Sequence, residues 1–184
     1  MMPFEIHSDE TIPEVKVVHR KEFADERGWF AEIFRLSDFE KMGIISEIDQ
    51  INHSFSKKRG TLRGLHFQES PHEQGKMVYC MRGSIWDVAV DIRKESDTYG
   101  LWTGYELTPE NQNSLWIPPG FAHGFQTLSD NTILIYMHSE KFYKKLDKGI
   151  NPFDKLLDIK WPIKKKIMSP KDNKLKSSKY FKGL

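Results

Sequence analysis

The sequence predicts an all-β chain folded as an antiparallel sandwich or barrel, and three features carry that prediction. Residues 85–92 alternate without a break: Trp86, Val88, Val90 and Ile92 share one face, and Ile85, Asp87, Ala89 and Asp91 the other. Further apolar stretches recur at 77–81, 114–117 and 132–138. Turn-forming residues separate them at Arg82-Gly83, 109–111, 118–120 and 129–131. Short strands at this spacing close on themselves, because closure removes the unpaired edges of an open sheet.

Taken in order along the chain, the first regular element expected is a helix. Ser37-Asp38-Phe39-Glu40 has the form of a capping box and opens a turn or two that runs to Met42 and Gly43. The strands follow. From Pro152 onward the pattern reads as turns and short helix attached to the barrel. The expected organisation is a single domain over 1–184, with its core at about 15–150 and an appended C-terminal segment over 151–184. No internal repeat or low-complexity linker interrupts it.

Composition narrows the function classes. The chain has 184 residues, 38% of them hydrophobic and 12% aromatic, enough for one packed core. No apolar run is long enough to span a bilayer, and the first ten residues lack the basic and apolar regions of a signal peptide. Cys80 is the single cysteine, so no internal disulfide is expected and a reducing compartment, the cytoplasm, fits. Net charge is +2, but residues 160–184 hold nine lysines and one acid, Asp172. That local +8 leaves −6 for the rest. Without interleaved arginines, and with only Tyr180 and Phe181 as rings after Trp161, this end reads as a solvated tail. Nucleic acid and membrane are not expected as partners.

Two segments carry chemistry. Gly60-Thr-Leu-Arg-Gly-Leu-His66-Phe-Gln68 and Pro118-Pro-Gly120-Phe-Ala-His123 have the glycine-to-histidine spacings of the two cupin motifs. Metal-binding cupins supply His-x-His and a carboxylate from the first motif and a histidine from the second, ligands that suit Fe, Mn, Ni or Zn. Here Gln68 replaces the second histidine, and Glu69 and Glu73 stand at the wrong spacing to restore the carboxylate. A cupin-type jelly roll without a metal is expected. On an extended strand His66 shares a face with Leu62, Gly64 and Gln68, while Arg63 and Lys76 lie near it in sequence. An imidazole among cations is costly as core filling, and sensible around a diphosphate.

Seven stretches in order then resemble the dTDP-4-dehydrorhamnose 3,5-epimerase family along nearly the whole chain. They are Asp25-Glu-Arg-Gly-Trp-Phe-Ala-Glu32, Gln50-Ile-Asn52-His-Ser54, Leu62-Arg-Gly-Leu-His-Phe-Gln68, Gln74-Gly-Lys76, Asp87-Val-Ala-Val-Asp-Ile-Arg93, Leu115-Trp-Ile-Pro-Pro-Gly-Phe-Ala-His-Gly-Phe125 and Ser169-Pro-Lys-Asp172. The resemblance implies that His66 is the base that removes a proton beside a ketone and that Asp172 holds its tautomer. It implies that Tyr136 returns a proton on the opposite face and that Lys76 sits beside the enolate oxygen. Arg27, Glu32, Gln50, Asn52, Arg63, His123 and Lys171 match substrate-contacting positions. Two positions depart from the family. Lys141-Phe142 stands where many relatives carry tandem tyrosines, one of which the resemblance puts near the sugar or the base, so that base stacking is expected to persist through Phe142 without a hydroxyl. Asp147 stands where relatives often have glutamate. The family also implies a homodimer that exchanges strands, so that some nucleotide contacts come from the partner.

The chemistry suits these residue types. A C–H beside a ketone yields an enolate, so a near-neutral base and a preorganised cation are required. No redox cofactor is needed, and no Gly-rich dinucleotide fingerprint is present. The expected substrate is a dTDP-linked 4-keto-6-deoxyhexose, inverted at C3 and C5 on the route to L-rhamnose for surface polysaccharide. A one-carbon epimerase, a 3,4-ketoisomerase and a non-catalytic sugar-binding cupin are the alternatives. Beyond the resemblance, one ring of Trp29-Phe30 is expected in the core and the other free to stack. Asp87, Asp91 and Arg93 read as structural.

Overall fold

A computed structural model describes residues 3–44 and 47–177. Its strands are β1 (Phe4–Ser8), β2 (Lys16–Arg20), β3 (Glu22–Asp25), β4 (Gly28–Ala31), β5 (Gln50–Ser56), β6 (Leu62–Gln68) and β7 (Lys76–Arg82). They continue with β8 (Ile85–Asp91), β9 (Trp102–Leu107), β10 (Asn113–Ile117), β11 (Phe121–Thr127), β12 (Thr132–His138) and β13 (Asp147–Gly149). A six-stranded sheet runs β1-β2-β10-β7-β12-β5 and a five-stranded sheet β13-β6-β11-β8-β9, while β3 and β4 form a two-stranded sheet of their own. From β5 to β12 the chain passes back and forth between the two larger sheets, the jelly-roll expected of it.

Three apolar layers hold the sandwich. Between the sheets, Val78, Cys80, Leu115 and Leu134 meet Ile85, Ala89, Phe121 and Phe125. Outside the six-stranded sheet, Met77, Tyr79, Trp116 and Met137 are covered by Phe39 and Ile44. Outside the five-stranded sheet, Leu65, Phe67, Val88 and Val90 are covered by Ile150, Leu157 and Ile159. The alternation of β8 therefore separates two buried layers, where one face against solvent is the usual case. Each such side chain contributes about 1.5–3 kcal/mol on burial.

The helix exists, with a different start. It is α1 (Leu36–Lys41), its N-cap is Arg35, and no side chain caps it. The capping box does not form: Asp38 is buried and accepts from the Arg35 guanidinium at 3.1 Å. The stop was legible, because Gly43 adopts φ +64°. Its N–H bonds Glu40 O at 3.0 Å and the Ile44 N–H bonds Phe39 O at 2.9 Å, a Schellman closure.

The solvated-tail reading needs correction for the described part. Lys160, Lys164, Lys165, Lys166, Lys171, Lys174 and Lys176 are exposed, but the backbone between them is docked. Ile167 exchanges backbone hydrogen bonds with Gly60 and Leu62 at 2.9 Å each. The Gln126 side chain also bonds both backbone groups of Ile163 at 2.9 Å. Tyr180 and Phe181 lie outside the described residues. No helix among the described residues is long and apolar enough to cross a membrane.

Candidate active site

A pocket of about 870 Å3 opens between the two sheets. It is lined by His66, Arg63, His123, Lys171 and Asp172 on one side and by Asn52, Ser54, Lys76, Tyr136 and His138 on the other. The first group comes from β6, β11 and the C-terminal segment, the second from β5, β7 and β12 of the six-stranded sheet.

Strict alternation puts Arg63 and His66 on opposite faces of β6. A bulge brings both to the pocket: β11 pairs His123 with His66 and Phe125 with Arg63, so three steps on β6 span two on β11. Glycine makes this possible. Gly64 has φ +112°, and a Cβ there would lie 2.6 Å from His123 O and 2.7 Å from Gly124 Cα.

His66 is half-buried, and its Nε2 lies 2.8 Å from Asp172 Oδ1. Burial alone would raise the Asp172 carboxyl. The His66 bond, the Gly64 backbone and Ser169 outweigh it and hold the group below the usual carboxylate range. A carboxylate only accepts, so Nε2 carries the proton and Nδ1 is left as the basic lone pair. Asp172 opens a 3-10 turn (Asp172–Lys174), and its own N–H donates to Ser169 Oγ at 3.0 Å.

Across the pocket, Tyr136 Oη lies 2.8 Å from Ser54 Oγ. Burial raises the phenol well above its ordinary range, so it is neutral and keeps its proton. Lys76 is buried, with Nζ 3.4 Å from the His66 carbonyl. Burial lowers this ammonium to about 8, opposed by the charges of Asp147 and Asp87. His138 pairs with Lys76 across the ladder, and its Nε2 lies 3.3 Å from Asn52 Nδ2. Burial, Lys76 and His123 lower it to about 3, so the imidazole is neutral.

Sequence reasoning missed Asp87. It is fully buried, its Oδ1 accepts from His123 Nε2 at 2.7 Å, and its Oδ2 has no partner among the described residues. Asp87 therefore orients a pocket imidazole and goes beyond a structural role. A signal was available, since an acid on the same strand face as Ile85 and Ala89 requires a buried partner. Ser54 and His138 were also missed. By contrast, Asp91 fits its structural reading, because it accepts from Arg93, Ser96 and Thr98.

The remaining site residues divide. Lys171 forms an ion pair with Asp147, and both face the pocket region. Phe142 is 52% exposed and borders a second cavity of about 160 Å3 with His66, Gln68, Lys76 and Asp147. Tyr143 follows it, stacked on His72 at 4.1 Å. A second ring is thus present one position later than a Lys141-Phe142 correspondence expects. Gln50 holds the Phe142 backbone N–H at 2.8 Å and does not line the large pocket.

Arg27 and Glu32 are also absent from that pocket in their own chain. Arg27 pairs with Asp25 on the hairpin turn, and Glu32 with Arg35. Trp29 and Phe30 are both outward, 56% and 68% exposed, so neither is core as one was expected to be. No group of three or more His, Cys, Asp or Glu side chains suited to a metal ion occurs among the described residues.

Comparison with known proteins places this geometry. The family model described as dTDP-4-dehydrorhamnose 3,5-epimerase matches residues 9–179. The enzyme of that name from Shigella flexneri is 48% identical over 162 residues, covering 88% of this chain and 89% of the relative. A Legionella pneumophila dTDP-6-deoxy-D-glucose-3,5-epimerase, solved with dTDP-4-keto-L-rhamnose, superposes with a TM-score of 0.90 at 40% identity. It covers 95% of this chain and 92% of its own. A Bacillus anthracis dTDP-4-dehydrorhamnose 3,5-epimerase, solved with TDP and PPi, gives 0.92 at 38% identity, over 95% and 99%. With a paired histidine and a tyrosine facing one pocket from separate sheets, and with relatives this similar end to end, the chain belongs to the dTDP-4-dehydrorhamnose 3,5-epimerase family.

Proposed function

We propose that this chain inverts C3 and C5 of dTDP-4-keto-6-deoxy-D-glucose by two proton transfers divided between its sheets. His66 Nδ1 takes the proton beside the C4 ketone, and Asp172 stabilises the imidazolium that forms. The electron pair moves onto the ketone oxygen, where the Lys76 ammonium balances the developing charge. Tyr136 then gives its phenolic proton to the same carbon from the opposite face, and the product ketone re-forms inverted. The two residues recover their protonation states through solvent. Each step is redox-neutral, so the chemistry calls on no electron carrier. The observation that carries this reading is the placement of His66–Asp172 and Tyr136–Ser54 on opposite walls of one pocket.

Arg63 and Lys171 are assigned to the diphosphate, Asn52 and His123 to the sugar end, and Phe142 to the thymine ring, with Asp147 beside it. Arg27, Glu32 and Gln50 complete the nucleotide contacts. A homodimer supplies the first two to the neighbouring site. In support, a two-stranded hairpin is marginal alone in water, yet β3–β4 exposes Phe23, Trp29 and Phe30, and edge strand β5 exposes Ile51 and Phe55. The cytoplasm is the proposed compartment.

The test is incubation with dTDP-4-keto-6-deoxy-D-glucose in deuterated buffer, followed at both carbons by NMR. Deuterium and inversion at C3 and C5 are expected. Exchange at one carbon alone would reduce the enzyme to a one-centre epimerase, and migration of the carbonyl would make it a ketoisomerase.

A further inference from the structure

The loop between β12 and β13 presents Phe142, a ring more than half exposed and bordering the cavity beside His66 and Lys76. A ring so exposed has little packing of its own to fix it, so its position must come from the backbone that carries it. That backbone is gripped on both sides by one side chain. Gln68 Nε2 donates to Lys141 O at 3.0 Å, and Gln68 Oε1 accepts from the Tyr143 N–H at 2.6 Å. The same Nε2 donates to His72 O, which ties in the loop after β6. Gln68 is 4% exposed, so these bonds run in a water-poor setting where an unmade bond costs most. Only an amide presents a donor pair and an acceptor at one point without charge.

We infer that Gln68 is a positioning residue for nucleotide binding, which acts by holding the Phe142 ring in register with the base. The position that completes a metal-ligating His-x-His pair in other cupins here serves as a clamp on the stacking ring. This rests on the reading of Phe142 as the thymine platform, and the experiment separates the two.

Binding of dTDP and of inorganic pyrophosphate, which has no base, is measured by calorimetry for wild type, Phe142→Ala, Gln68→Met and the double variant. Gln68→Asn is the second variant at the clamp. It stays neutral and keeps the amide but is one methylene too short to reach Lys141 O and the Tyr143 N–H together, so it should show the same selective loss of dTDP binding if Gln68→Met folds too weakly. Phe142→Ala should weaken dTDP about tenfold or more, the scale of one lost base–aromatic stack. Gln68→Met should weaken it by about fivefold or more, and the double variant should be no weaker than Phe142→Ala alone. Pyrophosphate affinity should move less than about twofold throughout, whereas a general structural lesion would weaken both ligands. If Phe142→Ala leaves dTDP affinity intact, the platform reading fails and the inference fails with it. If Phe142→Ala weakens dTDP but the Gln68 losses are absent, or multiply with it, the platform stands and the clamp is overturned.

Discussion

The wall of the pocket built from β6, β11 and the C-terminal segment differs sharply from the β3–β4 hairpin. On the first, His66 and Asp172 are already bonded at 2.8 Å, and His123 is bonded to a fully buried Asp87 at 2.7 Å. On the hairpin, Arg27 is paired among the described residues only with its neighbour Asp25, and Trp29 and Phe30 point outward. On the proposed reading, the chemical end of the site is complete within one chain, and the nucleotide end is completed by a second. Proton transfer depends on groups set in place before substrate arrives, because their orientation lowers the barrier only if it costs nothing at the moment of reaction. Binding groups can be brought by a partner, since their cost is met once on assembly. Substitutions at the His66–Asp172 pair should therefore remove turnover, and those on the hairpin should act through affinity and in trans.

The largest effect is expected at the base. His66→Asn should lower turnover and deuterium exchange at both carbons by ~10²–10⁴-fold, the range for a general acid–base group. Binding of dTDP should be nearly unchanged. Exchange retained above about a hundredth of the wild-type rate would mean another base serves that wall. Tyr136→Phe divides the two walls more finely. It keeps the ring among Phe125, His123 and His138 and removes only the hydroxyl that meets Ser54. Exchange should continue while inversion falls steeply. Inversion of both carbons at the wild-type rate would assign the final protonation to water or another hydroxyl.

How much of this was readable beforehand follows from what each feature depends on. The strand at 85–92 was legible because period two is local, and both of its faces are apolar layers in the fold. His66 was legible through motif spacing, Lys76 and Tyr136 through the family resemblance, and the structure brings all three to one pocket. The bulge that brings Arg63 to the same pocket was not legible, since it depends on Gly64 meeting Gly124 on another strand. The helix start was misread because Ser37-Asp38-Phe39-Glu40 satisfies a local pattern, while the chain uses Arg35 to hold Asp38 and Glu32. The outward rings of the hairpin were misjudged because a run of apolar residues does not by itself say whether the hairpin packs on the body of the chain. Asp87 was underrated for a different reason: its partner His123 is 36 residues away, and only the ladder of β8 with β11 joins them.

Arg63 and Arg27 sharpen the comparison at moderate size. Arg63→Ala should raise KM about 10–100-fold, the equivalent of a charge-assisted contact of ~1.5–3 kcal/mol. A normal KM with reduced kcat would move Arg63 to the chemistry. Arg27→Ala should raise KM too, but its defect should be complemented. Mixed with His66→Asn and allowed to reassociate, half the dimers are mixed, and each mixed dimer holds one intact site if Arg27 crosses over. The mixture should then recover ~25% of the wild-type rate at low substrate, as symmetry of the pair requires. No gain on mixing would place Arg27 in its own chain's site or outside any site.

The smallest effect is a pH limb, and it reads the six-stranded wall directly. Burial lowers Lys76 to about 8 against an ordinary value of 10.5, with Asp147 and Asp87 pulling the other way. His138, its ladder partner, is neutral and adds no charge of its own. Below about 8 the ammonium is present to meet the enolate; above it the amine is neutral and the stabilisation is lost. In the free enzyme, kcat/KM should therefore fall as pH rises through about 8, and Lys76→Gln should be slow but lack that limb. Stability runs the opposite way. Between about 8 and 10.5 the unfolded chain binds this proton and the folded chain does not, so the Lys76 contribution to folding stability rises with pH across that window. Loss of activity accompanied by loss of stability would therefore point to unfolding. Loss of activity while the denaturation midpoint holds or rises, and its absence from Lys76→Gln, identify Lys76 as the titrating group. A profile flat to pH 10 would place the proton on Lys76 throughout and remove burial as the force that tunes it.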